Sequence, residues 1–248
     1  MEHLEQCAAL DVEIARFAEV LGRSDPRHRV PTCPDWSVHD LAVHLGLVHR
    51  WAEHLVRRRA QSRIPSGETG LDDGPVDPGW ILEGGARLVG TLRSADPDAA
   101  MWAWGADQHV RFWPRRQLHE TLLHRIDLEL AAGDVPHVDA SIAVDGIDEL
   151  LVNLAPAAAF SPGIAALTGD GDELTFAAVD TGRTWTVVLD PGGFSLTEDG
   201  GEPDAALEAG ALELLLVLYR RTRLDEAAFT STGDLDLIRF WLDHSALG

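Results

Sequence analysis

The chain has 248 residues, 45% hydrophobic and 25% charged, the ordinary balance of a globular protein and enough length for one large domain or two smaller ones. Its 41 acidic against 20 basic residues give a formal charge of −21 and a pI near 4.7, a surface field that argues against nucleic acid and anionic membranes as partners. Every basic residue is Arg, so Schiff-base and phosphate-loop Lys chemistry is excluded; the Ala- and Arg-rich usage fits a GC-rich genome.

Cys7 and Cys33 lie in no C-x-x-C pair and follow no apolar leader, so both read as buried thiols in a reducing cytoplasm. In chain order, Leu4, Cys7, Ala8, Ile14, Phe17, Ala18 and Leu21 recur at helical spacing and stop at Gly22, predicting a first helix. Pro31 and Pro34 break the next stretch into a loop. Ser37 then caps a second helix over 37–60, with Asp40 three residues on as a weak capping box. A Gly-, Ser-, Asp- and Pro-rich loop covers 62–79, and a third helix over 80–93 turns Ile81, Leu88 and Leu92 inward. The irregular segment that follows carries Trp102, Trp104 and Trp113 and reads as a pocket wall. Pro114 opens a fourth helix that ends at Ala132 before Gly133, and a fifth covers 140–154.

Beyond "APAAAFSPG" the period changes from helical to alternating. Strands are expected over 173–180, 183–190 and 193–199, with "DPGGFS" as a hairpin turn. Asp204 and Asp234 then read as N-caps of two further helices. The longest apolar run, 211–219, is too short to span a bilayer. The expected fold is a two-domain α+β protein: a helical bundle over 1–160, then a small α/β unit over 161–248 with helices on an antiparallel sheet.

The stretch "HETLLHRID" (119–127) resembles the H-E-x-x-H zinc signature at first sight, but His119 and His124 are five apart, about 140° round a helix. On helix two, His44 shares a stripe with Leu41, Val48, Trp51 and Leu55, whereas His39, His49 and His54 point elsewhere. On helix four, Leu118, Leu122, Ile126 and Leu130 make the core stripe. Glu120, His124 and Asp127 follow its edge, and His119 lies on the far side. His44, Glu120 and His124 together supply three N/O donors, a set zinc accepts with a fourth position open. Asp127 is placed to act as an outer acceptor that fixes an imidazole tautomer. A solvated Glu–His pair and a satisfied core histidine fit the same spacing, and geometry leaves both readings open. There is no G-x-S-x-G elbow, no dinucleotide fingerprint and no phosphate loop. "YRRTR" (219–223) reads either as charge complementing a helix dipole or as a clamp for a substrate carboxylate.

These motifs carry a resemblance. "VPTCPDWSVHDLAVHLGLVHRWA" (30–52) and "WPRRQLHETLLHRIDLELAAG" (113–133) resemble the mycothiol-dependent maleylpyruvate isomerase family, among the DinB-like metal-binding helical bundles. The C-terminal "ALELLLVLYRRTRLDEAAFTSTGDLDLIRFWL" resembles that family's second domain, a small unit like sterol carrier proteins. The resemblance implies a DinB-like four-helix bundle and zinc ligands at His44, Glu120 and His124. It also implies a catalytic Arg at Arg221, with Arg220, which stands where the family has Gly, as a second candidate. The implied cofactors are Zn2+ and mycothiol, whose thiolate adds to a cis double bond of an anionic or electrophilic small molecule. The implied alternatives are a mycothiol S-transferase and a metal- or ligand-binding protein without turnover.

Overall fold

Capping residues and glycines set the helix ends in the first part of the chain. A computed structural model describes residues 1–68, 76–198, 200–225 and 229–247, in two compact units, Met1–Pro136 and His137–Gly248. Residues 69–75 of the expected loop and 199 of the third expected strand lie outside the described residues.

The first unit holds α1 (His3–Leu21), α2 (Val38–Arg58), α3 (Pro78–Ser94) and α4 (Phe112–Ala132). The expected capping box opens α2, with Asp40 Oδ2 accepting from the Ser37 N–H at 2.8 Å. Asp77 caps α3 through the Trp80 N–H at 2.8 Å, and Gly133, in the left-handed region at φ 80°, ends α4. The expected loop before α2 folds into a two-stranded ribbon, β1 (Arg29–Val30) and β2 (Cys33–Ser37). Two prolines hide those short strands from any period-2 reading.

Two of the helix faces differ from the expected stripes. The buried side of α2 runs through Leu41, Ala42, Leu45, Gly46, His49, Ala52, Leu55 and Val56, so His49 is the core histidine of this helix. His44 sits at the core's edge, its side chain 36% exposed. Helix α4 packs on α1 and α2 and buries side chains on every face from Phe112 to Leu128, His119 included. Arg125 is buried between Glu13 of α1 and Glu129 of α4, so its charge is matched on both sides. Trp113 is fully buried core rather than pocket wall; Trp102 and Trp104 are half-buried. Cys7 is buried as expected, and Cys33 only partly so.

Helix α5 (Ala140–Ala157) belongs to the second unit, where it packs on α6. The division therefore falls at 136/137 instead of near 160, because the chain break in composition after α5 is a surface connection inside the second unit. That unit's sheet contains β3 (Asp172–Ala178), β4 (Arg183–Asp190), β5 (Gly193–Thr197), β6 (Ala205–Ala209) and β7 (Thr230–Gly233), in the order β5-β4-β3-β6-β7. It is mixed, not antiparallel, because β6 runs parallel to β3. The expected hairpin joins β4 to β5, pairing Asp190 with Gly193.

Two readings of the sequence fail at β6. "DAALEAGALELLLVLY" is made of strong helix formers, but its first half pairs between β3 and β7 and only α6 (Ala211–Leu218) is helical. Asp204 consequently caps no helix; its carboxylate accepts from the Glu173 N–H at 2.8 Å. Asp234 does cap α7 (Leu235–His244), accepting from the Asp236 and Leu237 N–H groups.

Helix α6 closes with the Arg221 N–H on the Leu216 carbonyl at 2.7 Å and the Arg220 N–H on that of Val217 at 3.0 Å. Such a closure needs one left-handed residue, and Arg220 takes it at φ 59°. Its side chain turns to the surface beside Asp243 at 3.4 Å, 51% exposed.

Two stability predictions follow from these close approaches. A Cβ on Gly46 would stand 1.9 Å from Cζ3 of Trp80, a rigid, buried ring with the Arg50 guanidinium 3.9 Å from its centre. Gly46→Ala is expected to cost about 1–3 kcal/mol or more by overpacking, measured as a lowered urea midpoint. At the α6 turn, Arg220→Gly relieves left-handed strain of about 1–2 kcal/mol against about 0.5–1 kcal/mol of glycine entropy. Arg220→Gly should therefore melt at or above the native temperature and Arg220→Val clearly below it; the reverse order would show that the turn is not strained at this residue.

Candidate metal centre

Helices α2 and α4 pack side by side, and each brings imidazole to the same carboxylate. Glu120 and His124 are one helical turn apart on α4, so their side chains meet. His44 reaches them from α2. Its Nε2 stands 3.3 Å from Glu120 Oε1, and His124 Nε2 stands 3.3 Å from the same oxygen. The three donor atoms lie within 4.8 Å of one another, the one such group of His, Cys, Asp or Glu among the described residues. The structure thus brings together all three residues selected from the sequence.

The donor set fits a divalent metal. Zinc ligands about 2.0–2.1 Å from the ion at tetrahedral angles stand roughly 3.4 Å apart, which the two N–O separations of 3.3 Å match. Two imidazoles and one carboxylate are also the donors of open catalytic zinc sites. Behind them, His124 Nδ1 meets Asp127 Oδ2 at 3.1 Å, and the Thr32 hydroxyl donates to Asp127 Oδ1 at 2.6 Å. Asp127 is fully buried and held from its far side. With Nδ1 of the His124 ring toward Asp127, Nε2 faces Glu120.

Three contributors were not singled out in the sequence. Arg116 donates to Glu120 Oε2 at 2.9 Å from one turn earlier on α4, with its guanidinium carbon 5.8 Å from the Trp104 ring centre. The i, i+4 spacing of Arg116 and Glu120 is a legible signal, although Arg is no metal donor. Trp36 covers the imidazoles, its ring centre 4.9 Å from His44 and 6.4 Å from His124. Thr32, like Trp36, comes from the ribbon that the prolines disguised as loop, and no spacing rule connects either residue to α4.

The electrostatics follow from burial and pairing. Burial works against the Glu120 charge, but hydrogen bonds with His124 and His44 and the Arg116 charge outweigh it and hold the carboxyl well below its usual range. Burial also disfavours a charged His124, yet the hydrogen bonds to Asp127 and Glu120 prevail and push it up to about 9. His49, five residues after His44, shows the opposite outcome. Enclosed in the core with Nε2 2.8 Å from the Thr121 hydroxyl, it is pushed down to about 3 by burial and stays neutral. The Thr121 hydroxyl donates to the Gln117 carbonyl at 2.7 Å, so it accepts from His49 Nε2–H. His49 is a structural residue and not a ligand.

In the second unit, Arg221 is half-buried and donates from Nη1 to the Tyr219 carbonyl at 2.9 Å, with its guanidinium carbon 6.0 Å from the Tyr219 ring centre. The Tyr219 hydroxyl donates to the buried Glu149 at 3.4 Å, and Asn153 donates to the other oxygen of Glu149 at 3.1 Å. Arg220 and Arg221 thus differ in kind: one fills the left-handed turn with its side chain at the surface, the other lies half-buried beside the Tyr219 ring.

A metal can take His124 Nε2 only when that nitrogen is unprotonated. Uptake of a divalent metal at pH 7 is therefore expected to release a proton, and apparent affinity should climb about tenfold per pH unit from pH 6.5 towards 9 and flatten above it. Calorimetric titration in two buffers of different ionisation heat counts that proton; no buffer dependence would contradict the protonated state of His124 in the metal-free protein.

No curated protein matches the chain. Among solved structures, the mycothiol-dependent maleylpyruvate isomerase superposes with a TM-score of 0.59 and 13% identity, covering 95% of each chain, and a histidine-to-alanine mutant of it with 0.60 at the same identity and coverage. At that identity the likeness establishes the shared fold. Residues 7–129 match the family described as the mycothiol maleylpyruvate isomerase N-terminal domain, and residues 141–239 match its C-terminal domain. With both domains matched in order along nearly its whole length, the chain belongs to the mycothiol maleylpyruvate isomerase family.

Proposed function

We propose that the protein is a zinc-dependent, mycothiol-using enzyme that isomerises a cis double bond in a small conjugated acid, as maleylpyruvate isomerases do. The observation that carries this reading is the convergence of His44 and His124 on one oxygen of Glu120, with Asp127 and Thr32 behind them, in a chain of this family. When bound, the ion and the thiol supply the chemistry: a Lewis acid that keeps sulfur ionised near neutral pH, and reversible addition that lets the double bond rotate.

The chain's own residues hold and shield. His44, Glu120 and His124 supply the three donors. Asp127 keeps a proton on His124 Nδ1 so that Nε2 is free to bind, and Thr32 fixes Asp127. Trp36 packs against both imidazole rings. Arg221 is assigned the role of neutralising a substrate carboxylate or the negative charge that develops on it during addition. Arg220, committed to the α6 turn and to Asp243, is not given that role.

The test uses purified full-length protein with zinc, maleylpyruvate and a catalytic amount of mycothiol. Fumarylpyruvate should form with the thiol undiminished, and Arg221→Gln should lower kcat/KM by about 10²-fold or more without changing metal content. His44→Ala and His124→Ala should reduce zinc from about one per chain to near zero and abolish turnover. Metal retained in His44→Ala refutes the ligand assignment. Absence of the trans product refutes the isomerase, and stoichiometric loss of thiol with another electrophile would make the protein an S-transferase.

A further inference from the structure

We infer that Arg116 is a positioning residue that restricts Glu120 to a single coordinating oxygen and so keeps one metal position open for the incoming thiol. The inference rests on the metal reading above and concerns a residue that plays no part in the donor set itself.

A glutamate has two oxygens, and a carboxylate with both free can chelate an ion through the pair. At an ion already holding two imidazoles, that would fill the position a fourth ligand needs. Here the two oxygens of Glu120 are divided. Oε1 receives His44 and His124, both at 3.3 Å, whereas Oε2 accepts from Arg116 Nη2 at 2.9 Å. The same carboxylate therefore turns one oxygen to the imidazoles and the other to a guanidinium.

Arg116 is well built for this. It stands one turn before Glu120 on the same helix, its side chain is only 5% exposed, and its guanidinium lies 5.8 Å from the Trp104 ring centre. Burial and the helix backbone fix where the planar donor fork can be, and the fork meets one carboxylate edge in a charge-assisted hydrogen bond. A lysine at the same position would keep the charge but replace a fixed fork with a rotatable point donor. Withdrawing charge from Glu120 through Oε2 also leaves the ion more electron-poor, which favours an anionic sulfur in the open position.

Cobalt reports this directly, because its visible absorption is intense when four-coordinate and weak when five- or six-coordinate. The native protein, Arg116→Gln and Arg116→Lys are loaded with Co2+, checked for folding by circular dichroism and for metal by elemental analysis, then titrated with a small thiol while the sulfur-to-cobalt charge-transfer band is followed. The native protein is expected to show intense absorption. Arg116→Gln should bind cobalt with weaker absorption and take up thiol about 10–100-fold less tightly, and Arg116→Lys should fall between. Cobalt bound by Arg116→Gln with a native spectrum and native thiol affinity overturns the inference while leaving the metal centre intact. A native protein that takes up no cobalt overturns the metal reading and this inference with it. Should Arg116→Gln not fold, a crystal structure of the zinc-loaded native protein decides: one Glu120 oxygen on the ion supports the inference, and both oxygens on it refute it.

Discussion

The first unit is organised around one carboxylate that must answer two imidazoles with a single oxygen. Glu120 Oε1 fixes the register of α4 against α2, since a slip of either helix by one residue would swing its histidine about 100° away. Around that oxygen the charges balance. Glu120 and Asp127 are negative, Arg116 is positive, and the remaining positive charge in the metal-free protein is the proton that burial would remove from His124 and that its two carboxylate partners retain. On the proposed function, a proton and a metal would compete for the same hole in the same charge arrangement, which is complementary to a cation.

Access is set by the difference between two histidines on one helix. His44 and His49 are five residues apart, about 140° around α2. His49 falls on the core face, surrenders its charge and serves as a hydrogen-bond donor to Thr121. His44 falls at the rim with its side chain 36% exposed, under the Trp36 ring. In the proposed centre, the buried His124 and Asp127 would supply rigidity, and His44 would form the side reachable from solvent.

How much of this was legible depends on how local each feature is. Helix ends at Gly22, Ser37 and Gly133 and the donor pair Glu120–His124 are set by residues within a turn of one another, so spacing reveals them. The inward face of α2 was misplaced by a fraction of a turn because Val48 and Trp51, read as core, are only partly buried while His49 is enclosed. Features made by pairing distant segments were hidden. Strand β6 consists of helix-forming Ala and Leu and becomes a strand only because β3 and β7 flank it; Thr32 reaches Asp127 across 95 residues of sequence. The departure at Arg220 was visible as a missing Gly, but its meaning lies in backbone geometry. At φ 59° the position asks for a residue that tolerates the left-handed region, as Gly does, so the departure concerns the turn and says little about the chemistry of Arg221.

The sulfur chemistry assigned to this family raises the question of why the chain's own thiols are not used. Cys7 lies inside the α1 face of the core, where burial pushes its thiol up, away from the thiolate form that attacks carbon or binds metal. Cys33 sits on β2, one residue beyond the Thr32 that supports Asp127 from behind, and neither cysteine belongs to the donor group. A permanently bound Cys sulfur would occupy the position that two imidazoles and one carboxylate leave open, and it would turn a catalytic donor set into a closed structural one. On the proposed function, a chain that withholds its own sulfur would leave that position exchangeable for a thiol from outside.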